Sequence, residues 1–320
     1  MDNKRKQHSA LIEQFLKTQG HKNNTMNFKT PYINPFTDFG FKKLFGEEHS
    51  KAALISFLND ILPIEHKITN ISFGNTEFLN AVKEQRKSVF DIYCTDEKNQ
   101  HFIVELQNAK QEYFKDRTVF YSTFPIQKQA QKGYWNYKLE HVYCVGLLGF
   151  KFSDETAAIN EEEIDGNEYL HVVKLKDQRN KIFYDKLTFV FVEFPKFNKT
   201  ETDLVTHLDK WLYFFNNLAI LDDIPPVLHE PIFEESFETA RLANLTPAER
   251  EQYIGSFLAY CDNVNVVDYA LQQGLEQGLE QGKEQTQREI AIKLLQAGVD
   301  YAVIATSTGL TVEQIKQLQK

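Results

Sequence analysis

The chain reads as an α/β or α+β protein built on a mixed β-sheet, and three observations predict it. A helix-periodic segment comes first, three short β-branched and aromatic runs follow it, and a second helix-like segment precedes two continuous apolar runs. The 26 Phe and 14 Tyr against 2 Trp and 14 Gly agree with strand-rich packing, and 320 residues with 42% hydrophobic content suffice for a real core.

The first helix is read at 51–62. Leu54, Phe57, Leu58, Ile61 and Leu62 fall at helical spacing, with Ser50 as candidate N-cap and Pro63 as the stop. Strands are read at 68–73, 89–95 and 101–107, separated by Asn, Gly, Asp and Lys clusters. The segment 108–133 reads as helix with an interruption at Pro125, which lacks an N–H. Continuous apolar runs at 141–152 and 187–194 read as buried strands flanking an acidic loop, 154–165. Residues 201–262 are again helical, with Leu204, Leu208, Trp211, Leu212 and Phe215 on one side. Composition then changes: 273–284 repeats a Gln-Gly-Leu/Lys-Glu unit whose three glycines cost a helix about 3 kcal/mol against alanine, so 263–285 is expected to be a linker or oligomerisation stalk. The tail, 286–320, predicts three short helices: one ending at Gly298, one capped by Asp300 and stopped by Gly309, and one opened by the capping box Thr311 to Gln314. Its last two helices have the outline of a helix-turn-helix, yet the final one offers only Lys316 and Lys320 as cations beside Glu313, which weighs towards packing rather than DNA reading.

Charge and motifs exclude several classes. No apolar run approaches the roughly 20 residues a membrane helix needs, and the N-terminus lacks the continuous apolar core of a signal peptide, so the expectation is a cytoplasmic protein. Three widely spaced cysteines, Cys94, Cys144 and Cys261, suit buried thiols, and scattered histidines argue against a zinc site. Net charge is −9, but residues 1–30 carry six basic and two acidic groups, while 231–285 carries ten acidic and three basic groups. A local basic cleft remains compatible with that balance. Residues 1–25 are expected to be a basic extension, with Met26 as the true start.

The chemistry concentrates between Ser88 and Gln107. A five-residue hairpin loop at 96–100 pairs Thr95 with His101, and that register sets Asp91 opposite Glu105. Alternation then puts Asp91, Glu105 and Gln107 on one face, with Phe90, Ile92, Phe102, Val104 and Leu106 on the other. Two opposed carboxylates about 5 Å apart repel unless a cation or shared proton offsets them. One reading is a divalent cation with oxygen ligands, Mg2+ or Mn2+, acting on a phosphodiester. The other is purely structural, with Asp91 at a sheet edge and Glu105 paired to Arg86 or a helix lysine.

The order Asp91, hairpin, Glu105-x-Gln107 resembles the PD-(D/E)XK nuclease core, and specifically the PD-(D/E)XK nuclease family transposases, the Rpn family of recombination-promoting nucleases. Ile33-Asn-Pro-Phe-Thr-Asp38-Phe-Gly-Phe41-Lys42-Lys-Leu-Phe45-Gly46 is similar to that family's N-terminal signature, and Asp116-Arg117, Tyr121, Gly133, Tyr137 and 142–150 follow its pattern. Trp211-Leu-Tyr213 and the glycine repeats resemble its C-terminal part. The resemblance implies a restriction-endonuclease-like core at 26–200 with a helical extension at 201–262. It implies Asp91 and Glu105 as metal ligands, the Leu106 carbonyl as a third oxygen, and Gln107 in the place of the usual lysine. Proline before the aspartate is also absent, since Phe90 stands there.

The function implied is a magnesium-dependent DNA endonuclease of mobile-element or recombination type; the alternative is a catalytically inactive DNA-binding or assembly protein on that scaffold. Lys110, Lys115, Arg117, Lys128 and Lys132 lie among Tyr113, Phe114, Tyr121 and Tyr134, a mixture suited to phosphate contact and base stacking, although a solvated helix face explains the same charges. Asp38 is expected to cap the helix beginning near Phe39 or, alternatively, to approach the metal. DNA is the expected partner, no membrane is expected, and the repeat and tail are candidates for homo-oligomerisation.

Overall fold

A computed structural model describes residues 28, 30–74, 90–152 and 169–318. The basic extension, Met26, Arg86 and the acidic loop at 154–165 fall outside the described residues. Helix α1, Asp38–Phe45, is capped by Thr37, whose hydroxyl accepts from the Gly40 N–H at 2.9 Å. The cap is thus one residue earlier than the sequence suggests, and Asp38 is the first helical residue, paired with Lys42 at 2.7 Å. Gly40 is required here: a Cβ would lie 2.1 Å from the Asn34 carbonyl oxygen. Helix α2, Lys51–Ile61, follows a 3-10 turn at Glu48–Ser50. Ser50 makes no side-chain cap to α2; its hydroxyl accepts from the Glu47 N–H and closes that turn.

Six strands form one mixed sheet: β1 Ile71–Phe73, β2 Ile92–Asp96, β3 His101–Gln107, β4 Val142–Leu148, β5 Leu170–Lys176 and β6 Ile182–Glu193. Their order is β1-β2-β3-β4-β6-β5, with β3-β4-β6 parallel and the outer pairs antiparallel. Thr95 pairs with His101 and Ile92 with Val104, the register expected from the hairpin. Asp96 builds that turn, accepting from the Lys98 and Gln100 amides while Asn99 takes a positive φ. The hairpin of β5 with β6 has no counterpart in the sequence reading, because β5 is largely exposed and lacks an apolar run.

Helix α3, Phe114–Lys128, packs on one sheet face. It is shorter than expected at its start, where Tyr113 is left-handed, and Pro125 does not interrupt it. Pro125 lies in the last turn and is buried, and the Ser122 and Thr123 hydroxyls bond to the Val119 and Phe120 carbonyls just before it. Phe90, Tyr93, Ile103, Phe114, Cys144, Phe189 and Phe191 form the core on this face. Phe90 therefore lies on the face of Tyr93, not of Ile92: the chain leaves the ladder before β2 begins, and alternation no longer applies there.

The opposite face, with Ile92, Cys94, Phe102, Val104, Val190 and Val192, is closed from solvent. Helices α4, His207–Asn217, and α5, Pro231–Ala240, join α1 and α2 in an aromatic cluster where Phe45 stacks on Phe215 and Trp211 contacts Phe57 and Phe233. Helix α6, Pro247–Gln296, runs through Gly274, Gly278 and Gly282 without a break. The chain divides into two compact units between Asn263 and Val264. In the second unit, the end of α6, α7 (Tyr301–Thr308) and α8 (Val312–Gln317) bury Ala291, Ile304 and Ile315 together. Asp300, Gly309 and Thr311 cap and stop these helices as their sequence predicts.

Candidate active site

Asp91 precedes β2 by one residue and stays beside β3 through two hydrogen bonds. Its N–H donates to Glu105 Oε1 at 3.2 Å, and its Oδ2 accepts from the Leu106 N–H at 2.8 Å. Gln107, two residues along β3 on the same face as Glu105, donates from Nε2 to Glu105 Oε2 at 3.1 Å. In an antiparallel pair a residue's N–H and C=O face the same neighbour, so the Leu106 carbonyl also looks past the end of β2 towards Asp91. The end of β3 thus gathers two carboxylates and one carbonyl. Across the parallel ladder Glu105 faces Gly146, where the Phe191 ring fills the space a Cβ would need, 2.8 Å away.

Electrostatics mark the pair. Burial raises the pKa of Asp91, against the Leu106 N–H bond and the charges of Lys42 and Arg117, which act to lower it. Glu105 is pushed up to about 8, first by burial and then by the Asp91 charge. Among the described residues their contacts are hydrogen bonds from two backbone amides and one neutral side-chain amide, with no ion pair. Carboxylates in that state favour a cation.

The donor set fits a hard divalent ion such as Mg2+, which takes one or two carboxylates and retains several waters. Among the described residues no group of three or more His, Cys, Asp or Glu side chains is placed to hold a metal, so Asp38 does not complete a three-carboxylate cluster. It reaches Asp91 only through space, as a charge that raises its pKa.

Of the residues singled out for DNA contact, only Arg117 and Tyr121 join this site. With Phe114 and Thr118 they project from α3 at helical spacing and line a pocket that also includes Glu105 and Gly146. Lys115 rests over the Phe152 ring and Lys128 over Tyr93, while Lys110 and Lys132 are exposed. Thr118 and Lys42 were not among the sequence candidates. The spacing 114, 117, 118 and 121 carried the signal for Thr118; the approach of α1 to Asp91 is a tertiary fact.

A mixed sheet with flanking helices and a carboxylate pair carried on β3 and the entry to β2 is a restriction-endonuclease-like core. The chain belongs to the PD-(D/E)XK nuclease family transposases, whose family model matches residues 35–270. Residues 284–320 match the C-terminal HTH domain of the Rpn/YhgA-like nuclease family, in agreement with the helix-turn-helix outline of the tail's last helices. Comparison with curated proteins and with solved structures gives no match. Among the described residues no helix is long and apolar enough to cross a membrane.

Proposed function

We propose that the protein is a metal-dependent endodeoxyribonuclease of mobile-element or recombination type, acting in the cytoplasm. The observation that carries this reading is the half-buried pair Asp91 and Glu105, held side by side without an ion-pair partner among the described residues. Asp91, Glu105 and the Leu106 carbonyl would hold Mg2+ or Mn2+, which when bound supplies Lewis acidity and a more acidic water to the phosphodiester. Gln107 fixes the Glu105 carboxylate through its Oε2 and leaves its own carbonyl oxygen to orient water. The Leu106 N–H holds Asp91 in the rotamer that faces the end of β3.

DNA is the proposed substrate and partner. Arg117 and Tyr121 line a pocket with Glu105, and Lys110, Lys115, Lys128 and Lys132 are proposed as further phosphate contacts along the segment after β3. The C-terminal helix-turn-helix unit is a second DNA-contacting element. Self-association through α6 is proposed from the exposed Leu271, Leu275 and Leu279, four residues apart on one side of that helix. Equal masses per particle for full-length protein and protein truncated after Asp262, by light scattering, would exclude it.

The alternative, a catalytically silent DNA-binding or assembly protein, is favoured by one residue: the neutral Gln107 at the lysine position. Incubation of supercoiled plasmid with purified protein separates the two. Nicking with Mg2+ or Mn2+ that chelator stops is expected, and intact plasmid under every metal condition would exclude the nuclease.

A further inference from the structure

Gln107 cannot supply positive charge, and its amide donates to Glu105. A phosphodiester attacked by water accumulates negative charge on its non-bridging oxygens, and an active site built only of carboxylates and neutral amides leaves that charge poorly opposed. A cationic side chain on another element can take that role only if it reaches the same space.

Helix α3 offers one. Arg117 lines the same pocket as Glu105, on the face that α3 turns to the sheet. Its guanidinium lies 5.6 Å over the Tyr121 ring, and Tyr121 meets Phe90, the residue before Asp91, edge-on at 5.5 Å. Its Nη1 donates to Gln111, at the base of the helix. The arginine is thus held by one aromatic pair that ends beside Asp91 and by one amide. Its charge acts on both Asp91 and Glu105. Lys42 acts on Asp91 and is bound to Asp38 at 2.7 Å, while Lys115 and Lys128 lie over other rings.

We propose that Arg117 is the phosphate-binding cation of the active site, so that the charge which the lysine of the motif would carry on β3 is carried here by α3. The inference rests on the nuclease reading. In the reaction a water oxygen bonds to phosphorus, the bond from phosphorus to the leaving oxygen breaks, and the leaving oxygen takes a proton from solvent. The water's proton is lost to solvent as well. Arg117 donates hydrogen bonds to a non-bridging oxygen throughout and exchanges no proton, as a guanidinium must.

The test uses the full-length protein, plasmid nicking with Mg2+, and DNA affinity by anisotropy with Ca2+ in place of Mg2+. Arg117→Ala is expected to lower kcat by about a hundredfold or more with DNA affinity changed only a few-fold. Arg117→Lys should keep part of the rate. The double variant Gln107→Lys/Arg117→Ala should recover at least about tenfold over Arg117→Ala, because a lysine on β3 returns the charge to the same face. Thermal melting shows whether each variant is folded, and a merely structural arginine would not be rescued from position 107. Parental kcat in Arg117→Ala, a loss confined to DNA affinity, or no recovery in the double variant would overturn the proposal alone. A parental protein that never nicks DNA overturns the nuclease reading and takes the proposal with it.

Discussion

Two pairs of carboxylates, one fully buried and one half-buried, are treated in opposite ways by the fold. Glu193 and Asp209 are fully buried, and both are surrounded by donors. Glu193 accepts from His171, from Lys196 at 2.9 Å and from the Phe152 N–H. Asp209 accepts from Lys199 at 2.7 Å, from the Tyr169 hydroxyl and from the Val205 and Thr206 amides. Asp91 and Glu105 sit beside each other with amide donors only. The first pair fastens loops to the sheet and to α4; the second keeps a mutual repulsion that a structural role does not need. Full burial with complete pairing is a mark of architecture, whereas like charge gathered in a half-buried pair is the mark of a candidate ligand site.

Cleavage should show the largest difference. Asp91→Ala and Glu105→Ala should each reduce metal-dependent nicking by about a thousandfold or more, while Asp209→Asn, assayed below its melting temperature, nicks at close to the parental rate. Equal rates for all three would remove the distinction between the pairs.

Stability should run the other way. Glu193→Ala strands Lys196 and His171 beside an emptied buried site and should destabilise the protein by about 3 kcal/mol in urea unfolding. Above pH 8, where the parental Glu105 carboxyl is charged, Glu105→Gln removes the repulsion with Asp91 and should raise the metal-free melting temperature by about 3 °C, the equivalent of roughly 1 kcal/mol in a domain of this size. A Glu105→Gln protein that melts below the parental one would show that the carboxylate is already satisfied.

Which pair is which was only partly legible in the sequence. The hairpin register followed from loop length and the Thr95 to His101 pairing, so Asp91 and Glu105 could be set side by side before any coordinates. Glu193 and Asp209 could not be recognised, because their partners His171, Lys199 and Tyr169 come from segments without strong periodic signals. Phe90 lies on the unexpected face for a local reason: it stands two residues before the ladder begins at Ile92, where strand alternation no longer holds. The glycine repeat at 273–284 read as a weak helix by intrinsic propensity, yet α6 is continuous there, with open space where each Cβ would stand. The caps of the tail unit were legible, but at the end of α6 that packs there it is the small Ala291 that is fully buried while Ile292 stays 37% exposed, a choice between neighbours that periodicity over seven residues does not resolve.

Metal binding provides a smaller and more specific contrast. An ion that binds only the folded protein adds about 2.7 kcal/mol at a hundred times its dissociation constant. Mg2+ titration should therefore raise the melting temperature of the parental protein and of Asp209→Asn alike, and leave Glu105→Gln unmoved. A rise that persists in Glu105→Gln would place the ion elsewhere.

Acid should show the smallest difference, and its sign follows from Asp209. Burial acts to raise the Asp209 pKa, but Lys199, the Thr206 and Val205 amides and the Tyr169 hydroxyl together hold it down at about 2, below its ordinary 3.8. A carboxyl depressed in the folded state contributes stability above its unfolded pKa, and that contribution disappears as pH falls through the folded value. Between pH 3.8 and about 2 the unfolded chain takes up the proton first, so the urea midpoint of the parental protein should fall across that window. Asp209→Asn cannot titrate there and should show a shallower fall, while Glu105→Gln, whose parental carboxyl titrates well above this range, should fall as steeply as the parent. Equal slopes in Asp209→Asn and the parental protein would mean that the four donors around Asp209 do not favour its charged form, and the contrast between the two pairs would lose its structural half.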